Sequence, residues 1–123
     1  MSAPMPFPHL TARPKLNGAG PQRDANQMLL AIRSDVEGAS LENVCAIVRG
    51  VPYAPRGSAV VHPGDTSSMI ELPSTSAGAK GAVYFELSMG DYRIPLITDE
   101  MFDVAPGTIC VLTIDDRTRA HGR

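Results

Sequence analysis

The residues from 82 to 98 are the part of this sequence with the fewest structural options, because their pattern fits a β-hairpin. Apolar and polar side chains alternate from Val83 to Ser88, and Gly90 and Asp91 then form a dipeptide typical of two-residue hairpin turns. Counting outward from this turn gives an apolar face and a polar face. The predicted pairs are Met89 with Tyr92, Leu87 with Ile94 and Phe85 with Leu96 on the first face, and Ser88 with Arg93 and Glu86 with Pro95 on the second.

Pro95 adds a restriction to this hairpin. Proline has no backbone N–H and cannot donate to a neighbouring strand. We therefore expect either that the sheet edge lies at Pro95 or that its amide position faces away from the partner strand.

Further short apolar runs rich in β-branched residues follow one another along the chain, with glycine or proline turns between them. They predict strands at 58–62, at 68–72 and at 108–114, the last in the middle of a sheet. Segment 40–50 fits helical spacing as well, but its valines favour a strand.

One segment has the features of a helix. Asp24 and Gln27 have the spacing of a helix cap, and the apolar residues that follow predict a short helix over 25–33. The predicted fold class is therefore mainly β, with at most one peripheral helix. We expect a small antiparallel sandwich or barrel of about five to seven strands, with an extended N-terminal arm and a basic C-terminal tail.

Charge divides the chain into an arm (1–24), a single β-rich domain (25–116) and a tail (117–123). The domain carries twelve acidic against five basic side chains, whereas both ends are basic. Basic ends of this kind can reach an acidic partner, including another copy of the same domain. The basic side chains predicted to make such contacts are Arg13, Lys15, Arg23, Arg117, Arg119 and Arg123.

The arm contains five prolines, which disfavour both a helix and a central strand. Its apolar residues Phe7, Leu10 and Leu16 are spaced as anchors for a groove of a neighbouring subunit. The alternative is a disordered leader without a partner.

Composition argues against several classes of protein. No apolar run approaches the ~20 residues of a membrane span, and no leader is apparent, so we expect a location in the cytoplasm or in an assembled particle such as a virion. The acidic domain would repel phosphate, so nucleic acid is expected to bind only through the ends, if at all. Cys45 and Cys110 lie in apolar runs and are expected to be buried thiols rather than a disulfide.

The sequence predicts no catalytic residue, metal site or cofactor, and hence no enzyme. His62 with Ser58 and Asp65 is the arrangement closest to a catalytic site, but no motif exposes the serine, so a turn histidine is favoured. The acids Asp99, Glu100 and Asp103 lack the ligand series of a calcium loop and are expected to be solvated. Asp115 and Asp116 are expected to be neutralised by the arginines that follow them.

These observations favour a structural assembly protein. Strand-rich modules with extended arms occur among components that decorate, cement or connect a viral or phage particle, and this is an analogy of architecture alone. The expected partners are other copies in a homo-oligomer or a major structural subunit. The alternative is a small β-barrel binding or regulatory module, whose ligand or protein partner would lie on the exposed face of the 82–98 hairpin.

Overall fold

The computed structural model describes the backbone of His9–Arg13 and all residues from 27 to 122. Within these residues the chain forms ten strands and one short 3₁₀ turn, Ser74–Ser76. No helix in these ranges is long and apolar enough to cross a membrane. The strands are β1 (His9–Arg13), β2 (Met28–Asp35), β3 (Ser40–Val48), β4 (Val51–Tyr53), β5 (Ile70–Leu72), β6 (Lys80–Met89), β7 (Tyr92–Thr98), β8 (Phe102–Asp103), β9 (Ile109–Asp115) and β10 (Ala120–Gly122).

The strands form two sheets, and the mainly β class predicted from the sequence is confirmed. Sheet A has the order β1-β9-β2-β5, and sheet B has the order β10-β7-β6-β3-β4, with β8 also pairing with β6. Strands β2 and β9 pair in parallel, from Leu29 opposite Ile109 to Asp35 opposite Asp115. The other strand pairs are antiparallel, as in a sandwich-like fold.

The core is built from every second residue of the long strands. In β9 the buried residues alternate with half-buried ones along the whole strand, and β3 alternates on both sides of an irregularity between Glu42 and Cys45. Burial of one such apolar side chain stabilises the fold by about 1.5–3 kcal/mol. The main contributors are Met28, Leu30 and Ile32 of β2, Leu112 and Ile114 of β9, Leu41, Val44, Ala46 and Val48 of β3, and Val83 and Phe85 of β6.

The predicted hairpin is present with the predicted register. Strands β6 and β7 pair in all five predicted places: Met89 with Tyr92, Ser88 with Arg93, Leu87 with Ile94, Glu86 with Pro95 and Phe85 with Leu96. On the other side of β7, pairing with β10 covers Leu96 to Thr98 and stops next to Pro95. Within the described residues Pro95 therefore pairs with β6 alone, opposite Glu86, and such a position suits a residue without an amide hydrogen.

Other strand predictions are confirmed or shortened. Segment 40–50 is a strand up to Val48, and β9 lies in the middle of sheet A between β1 and β2. The strand predicted at 68–72 is reduced to β5. Segment 58–62 is not a strand, since only Val61 forms an isolated bridge, with Leu41.

The predicted helix over 25–33 is wrong where the structure describes it, because β2 begins at Met28. A continuous apolar run satisfies both the helical and the strand period. In the fold this run lies between β9 and β5, and both neighbours supply backbone hydrogen-bond partners. Pairing on both sides therefore favours a strand over a helix. Strands in such a central position usually carry apolar residues on both faces.

Three of the seven residues of the predicted basic tail are part of sheet B. Thr118 is fully buried, and its hydroxyl accepts a hydrogen bond of 2.9 Å from the Asp115 N–H. Residues 120–122 form β10 and pair with β7. The domain therefore continues beyond residue 116, although the apolar pattern of the sequence does not.

Candidate interaction surfaces

The structure describes four of the nine residues predicted to bind a partner. Leu10 and Arg13 lie in β1, opposite Leu112 and Ile109 of β9. Arg117 and Arg119 lie in the connection from β9 to β10. Phe7, Lys15, Leu16, Arg23 and Arg123 are outside the described residues. That any of the nine binds another subunit stays a prediction.

The two described arginines of the tail differ in exposure. Arg117 is exposed, and its N–H donates to the Asp115 carboxylate at 2.9 Å. Arg119 is half-buried, and its carbonyl accepts the Asp99 N–H at 3.0 Å. Of this pair, Arg117 is the side chain better placed to meet an acidic neighbour.

β1 is an edge strand attached to the rest of the domain through β9. Five consecutive residue pairs join the two strands, from His9 opposite Thr113 to Arg13 opposite Ile109. An edge position agrees with the prediction that this part of the arm is extended and not a central strand. The backbone pairing shows that the arm can bind a sheet edge.

The apolar face of the hairpin is buried at one end and exposed at the other. Phe85 is 1% exposed, whereas near the turn Met89 is 39%, Tyr92 is 74% and Ile94 is 41% exposed. We call these last three side chains the hairpin strip. By register these three side chains lie on the same sheet face as Phe85. The strip is therefore the solvent-exposed end of the apolar face whose other end is in the core. Exposed apolar patches of this kind are typical of protein interaction sites.

A polar network lies on the opposite face of the same hairpin. The Glu86 carboxylate accepts hydrogen bonds from the Tyr84 hydroxyl at 2.6 Å and from the Asn43 amide at 2.8 Å. Arg93 pairs with Glu42 at 2.8 Å and lies 3.8 Å from Glu86. Asn43 has φ +50°, at the irregularity between Glu42 and Cys45, a conformation that asparagine tolerates better than most residues.

This network lowers the pKa of Glu86 below its ordinary value. The Tyr84 hydroxyl is the largest cause, the Asn43 amide is the second, and the Arg93 charge adds to both, while desolvation acts in the opposite direction. A lowered pKa in the folded state means that the unfolded chain binds more protons in acid. The stabilisation is therefore present above the ordinary pKa and is lost as pH falls through the folded value.

We expect Tyr84→Phe to flatten the acid side of the stability profile. The substitution removes the hydroxyl that contributes most to the low pKa, so less stability is left to lose on protonation of Glu86. Urea unfolding from about pH 6 to about pH 3 measures the slope. Tyr92→Phe removes an exposed hydroxyl from the same hairpin and should keep the wild-type slope. Equal slopes for Tyr84→Phe and wild type would contradict the assignment.

A shallow open concavity of about 340 Å³ adjoins this network. Its volume is at the lower end of the range for small-molecule sites. Both cysteines are thiols and not a disulfide, as predicted. The predicted burial is confirmed for Cys110, whose pKa it raises, but is wrong for Cys45, which is half-buried at the concavity. The lining residues are Cys45, Ile47, Gly50, Pro52 and Tyr84.

The residues of the Ser58, His62 and Asp65 arrangement do not form a catalytic triad. The Ser58 hydroxyl accepts a local hydrogen bond from the Val60 N–H, and the Asp65 N–H donates to the His62 carbonyl in a turn. His62 Nδ1 lies 3.1 Å from the hydroxyl of Ser40, and this contact is exposed. Ser40 and His62 are 22 positions apart, so no local sequence motif joins them.

Two members of the predicted acidic cluster, Asp99 and Asp103, each contact a different basic side chain. Asp99 lies 2.5 Å from Nδ1 of His121, which is part of β10. Asp103 pairs with Lys80 at 2.5 Å across β6 and β8. In the part of the chain that the structure describes, no three His, Cys, Asp or Glu residues are grouped to hold a metal ion.

Comparison of the chain with known protein families, with curated proteins and with solved structures finds no match in any of the three.

Proposed function

We propose that this protein is a structural assembly protein without catalytic activity, which decorates, cements or connects a larger particle such as a virion. Its partners are other copies of itself or a major structural subunit. The hairpin strip is the observation that carries the proposal. It presents Met89, Tyr92 and Ile94 on a regular hairpin whose base is fixed in the core at Phe85.

The chemistry of the strip suits a protein partner. Tyrosine and methionine are enriched at protein interfaces, because they offer a large contact area. Tyr92 and Met89 are directly opposite on adjacent strands, so one partner surface can cover both side chains. Burial of the three side chains would remove apolar surface from water without ordering a new segment of this chain.

Charge supplies a second, weaker attraction. The domain is acidic, and Arg117 is exposed in the connection from β9 to β10. Such contacts between exposed charges are screened by salt. The proposal therefore includes assembly that is stronger at low than at high ionic strength.

Light scattering of the purified chain at low and high salt tests this function. We expect a mass above that of one chain at low salt and a lower mass at high salt. Tyr92→Ala should weaken assembly by about tenfold or more, as for a central interface aromatic. Arg117→Glu should weaken it mainly at low salt. Removal of residues 117–123 would be uninformative, because Thr118 and β10 belong to the fold.

Met101→Ala is the matched control for the strip. Met101 is 53% exposed but lies outside the β6–β7 hairpin, so its removal should leave the assembled mass unchanged. A single-chain mass at every salt concentration would contradict self-assembly. Equal weakening by Met101→Ala and Tyr92→Ala would remove the strip from the proposal.

The concavity beside Tyr84 favours a second candidate, a small binding or regulatory module. It lies on the polar face of the hairpin, opposite to the strip, and has an apolar lining next to a charged network. Ile47→Arg would obstruct this concavity. A chain that is monomeric at all salt concentrations, and that loses a bound small molecule in Ile47→Arg alone, would support this candidate over assembly.

A further inference from the structure

The pairing of β1 with β9 could be made by β1 of the same chain or by β1 of a second copy of the protein. β1 pairs with β9 at the edge of sheet A, and β2 pairs with the other side of β9. Arg13 at the end of β1 and Leu29 near the start of β2 are both opposite Ile109. The two ends of the connection are therefore about two strand spacings, or ~10 Å, apart.

The connecting sequence is much longer than this span. Fifteen residues separate Arg13 from Leu29, and a chain of that length can extend to about 50 Å. It contains Pro14, Gly18, Gly20 and Pro21. Within one chain the connection has far more length than it needs, and the same length is enough to bring β1 to the β9 edge of an adjacent copy.

The β1–β9 pairing would be the same in both arrangements. Antiparallel pairing over five residues satisfies the same backbone donors and acceptors whether β1 comes from the same chain or from another. Addition of a strand from a second chain to a sheet edge, and exchange of identical elements between copies, are both established forms of association. In either arrangement β1 covers the edge of β9, which would otherwise be open to aggregation.

We propose that β1 is exchanged between copies, so that β1 of one chain pairs with β9 of a second copy in the register seen within one chain. This inference rests on the proposed assembly function and names the partner and the contact. Reciprocal exchange gives a closed dimer, and sequential exchange extends the assembly. The local concentration set by the connection opposes exchange, so exchange increases with protein concentration.

Two substitutions can report which chain supplies β1. Ala12 lies opposite the native Cys110, so Ala12→Cys places two thiols at one register position. Cys45→Ala removes the other native cysteine. After mild oxidation at the highest concentration at which the chain stays in solution, a non-reducing gel separates a link within one chain from a link between two. We expect a band at twice the mass of one chain or above, and its loss on reduction.

Two further variants make each outcome decisive. Thr11→Cys with Val111→Cys, in a chain that also carries Cys45→Ala and Cys110→Ala, tests the adjacent register position. Because the closer and the wider backbone spacing alternate along an antiparallel pair, the two positions together test both. Ala12→Cys with Cys110→Ala and Cys45→Ala has one thiol, and a dimer band of equal strength there would show random collision and overturn the inference. A link within one chain only, or unlinked thiols at both register positions, would also overturn it.

The experiments distinguish failure of this inference from failure of the proposed assembly function. If light scattering shows salt-sensitive assembly while the oxidised thiols link within one chain, the chain assembles but β1 stays on its own β9. If the unmodified chain is monomeric and the thiols link within one chain, both proposals fail. A link between chains together with an assembled mass supports both.

Discussion

Phe85→Ala is expected to lower the free energy of unfolding by about 3–5 kcal/mol. Phe85 is the largest fully buried side chain of the domain and belongs to β6, which pairs with both β3 and β7. Removal of its ring loses apolar burial and leaves a cavity that the flanking strands fill only in part. Urea unfolding followed by circular dichroism measures the loss. A change below about 1 kcal/mol would mean that the site is not a packed core position.

Tyr92→Ala is the matched control on the same hairpin face. It also removes an aromatic ring, but from a residue that is 74% exposed, so the expected loss of stability is below about 0.5 kcal/mol. The two variants thus separate the roles of the two ends of one face. Phe85 should affect folding, and Tyr92 should affect assembly alone.

Gly81→Ala is expected to destabilise the domain by about 1–3 kcal/mol, because the core has no space for a side chain there. A Cβ atom at Gly81 would lie 2.5 Å from Cζ of Phe102 and 2.9 Å from two further ring atoms. Gly81 and Phe102 are opposite in β6 and β8, and the ring is buried. The ring must therefore move out of its place in the core when a methyl group is added.

A double-mutant cycle identifies this contact as the cause. Phe102→Leu removes the ring, so Gly81→Ala should cost less in that background than in the wild type. Gly122→Ala is the control at a strand glycine with nothing within 4 Å of the added Cβ, and it should leave stability unchanged. Equal costs of Gly81→Ala in both backgrounds would contradict the steric explanation.

The hairpin could be predicted down to its residue pairs because its information is local. Alternation and a two-residue turn fix the register, and both lie within 82–98. The same local information was ambiguous at β2, where an apolar run fits a helix or a buried strand. At β10 local information was absent, because Ala120, His121 and Gly122 have no strand pattern. These residues form a strand because the edge of β7 is available for pairing.

The interaction surfaces were only partly predictable. The apolar face of the hairpin followed from its alternation, but alternation alone did not show that Phe85 is buried and Tyr92 exposed on that face. The Glu86 network joins residues that are 43 positions apart, through a strand irregularity that places Asn43 beside the carboxylate. Neither the irregularity nor this contact has a sequence signature, so the network required the structure.

The central place of β9 has a consequence for the order of folding. β1 and β2 both precede β3–β7 in sequence, yet each depends on β9, which is synthesised after all of them. The four strands of sheet A therefore cannot all pair while the chain is still emerging from the ribosome at β7, although β2 can pair with β5 and β6 can pair with β7. Pairings between distant segments are slow to form. Among the described strands β1 pairs with β9 alone, so β1 stays unpaired throughout this delay, whereas β2 can already pair with β5.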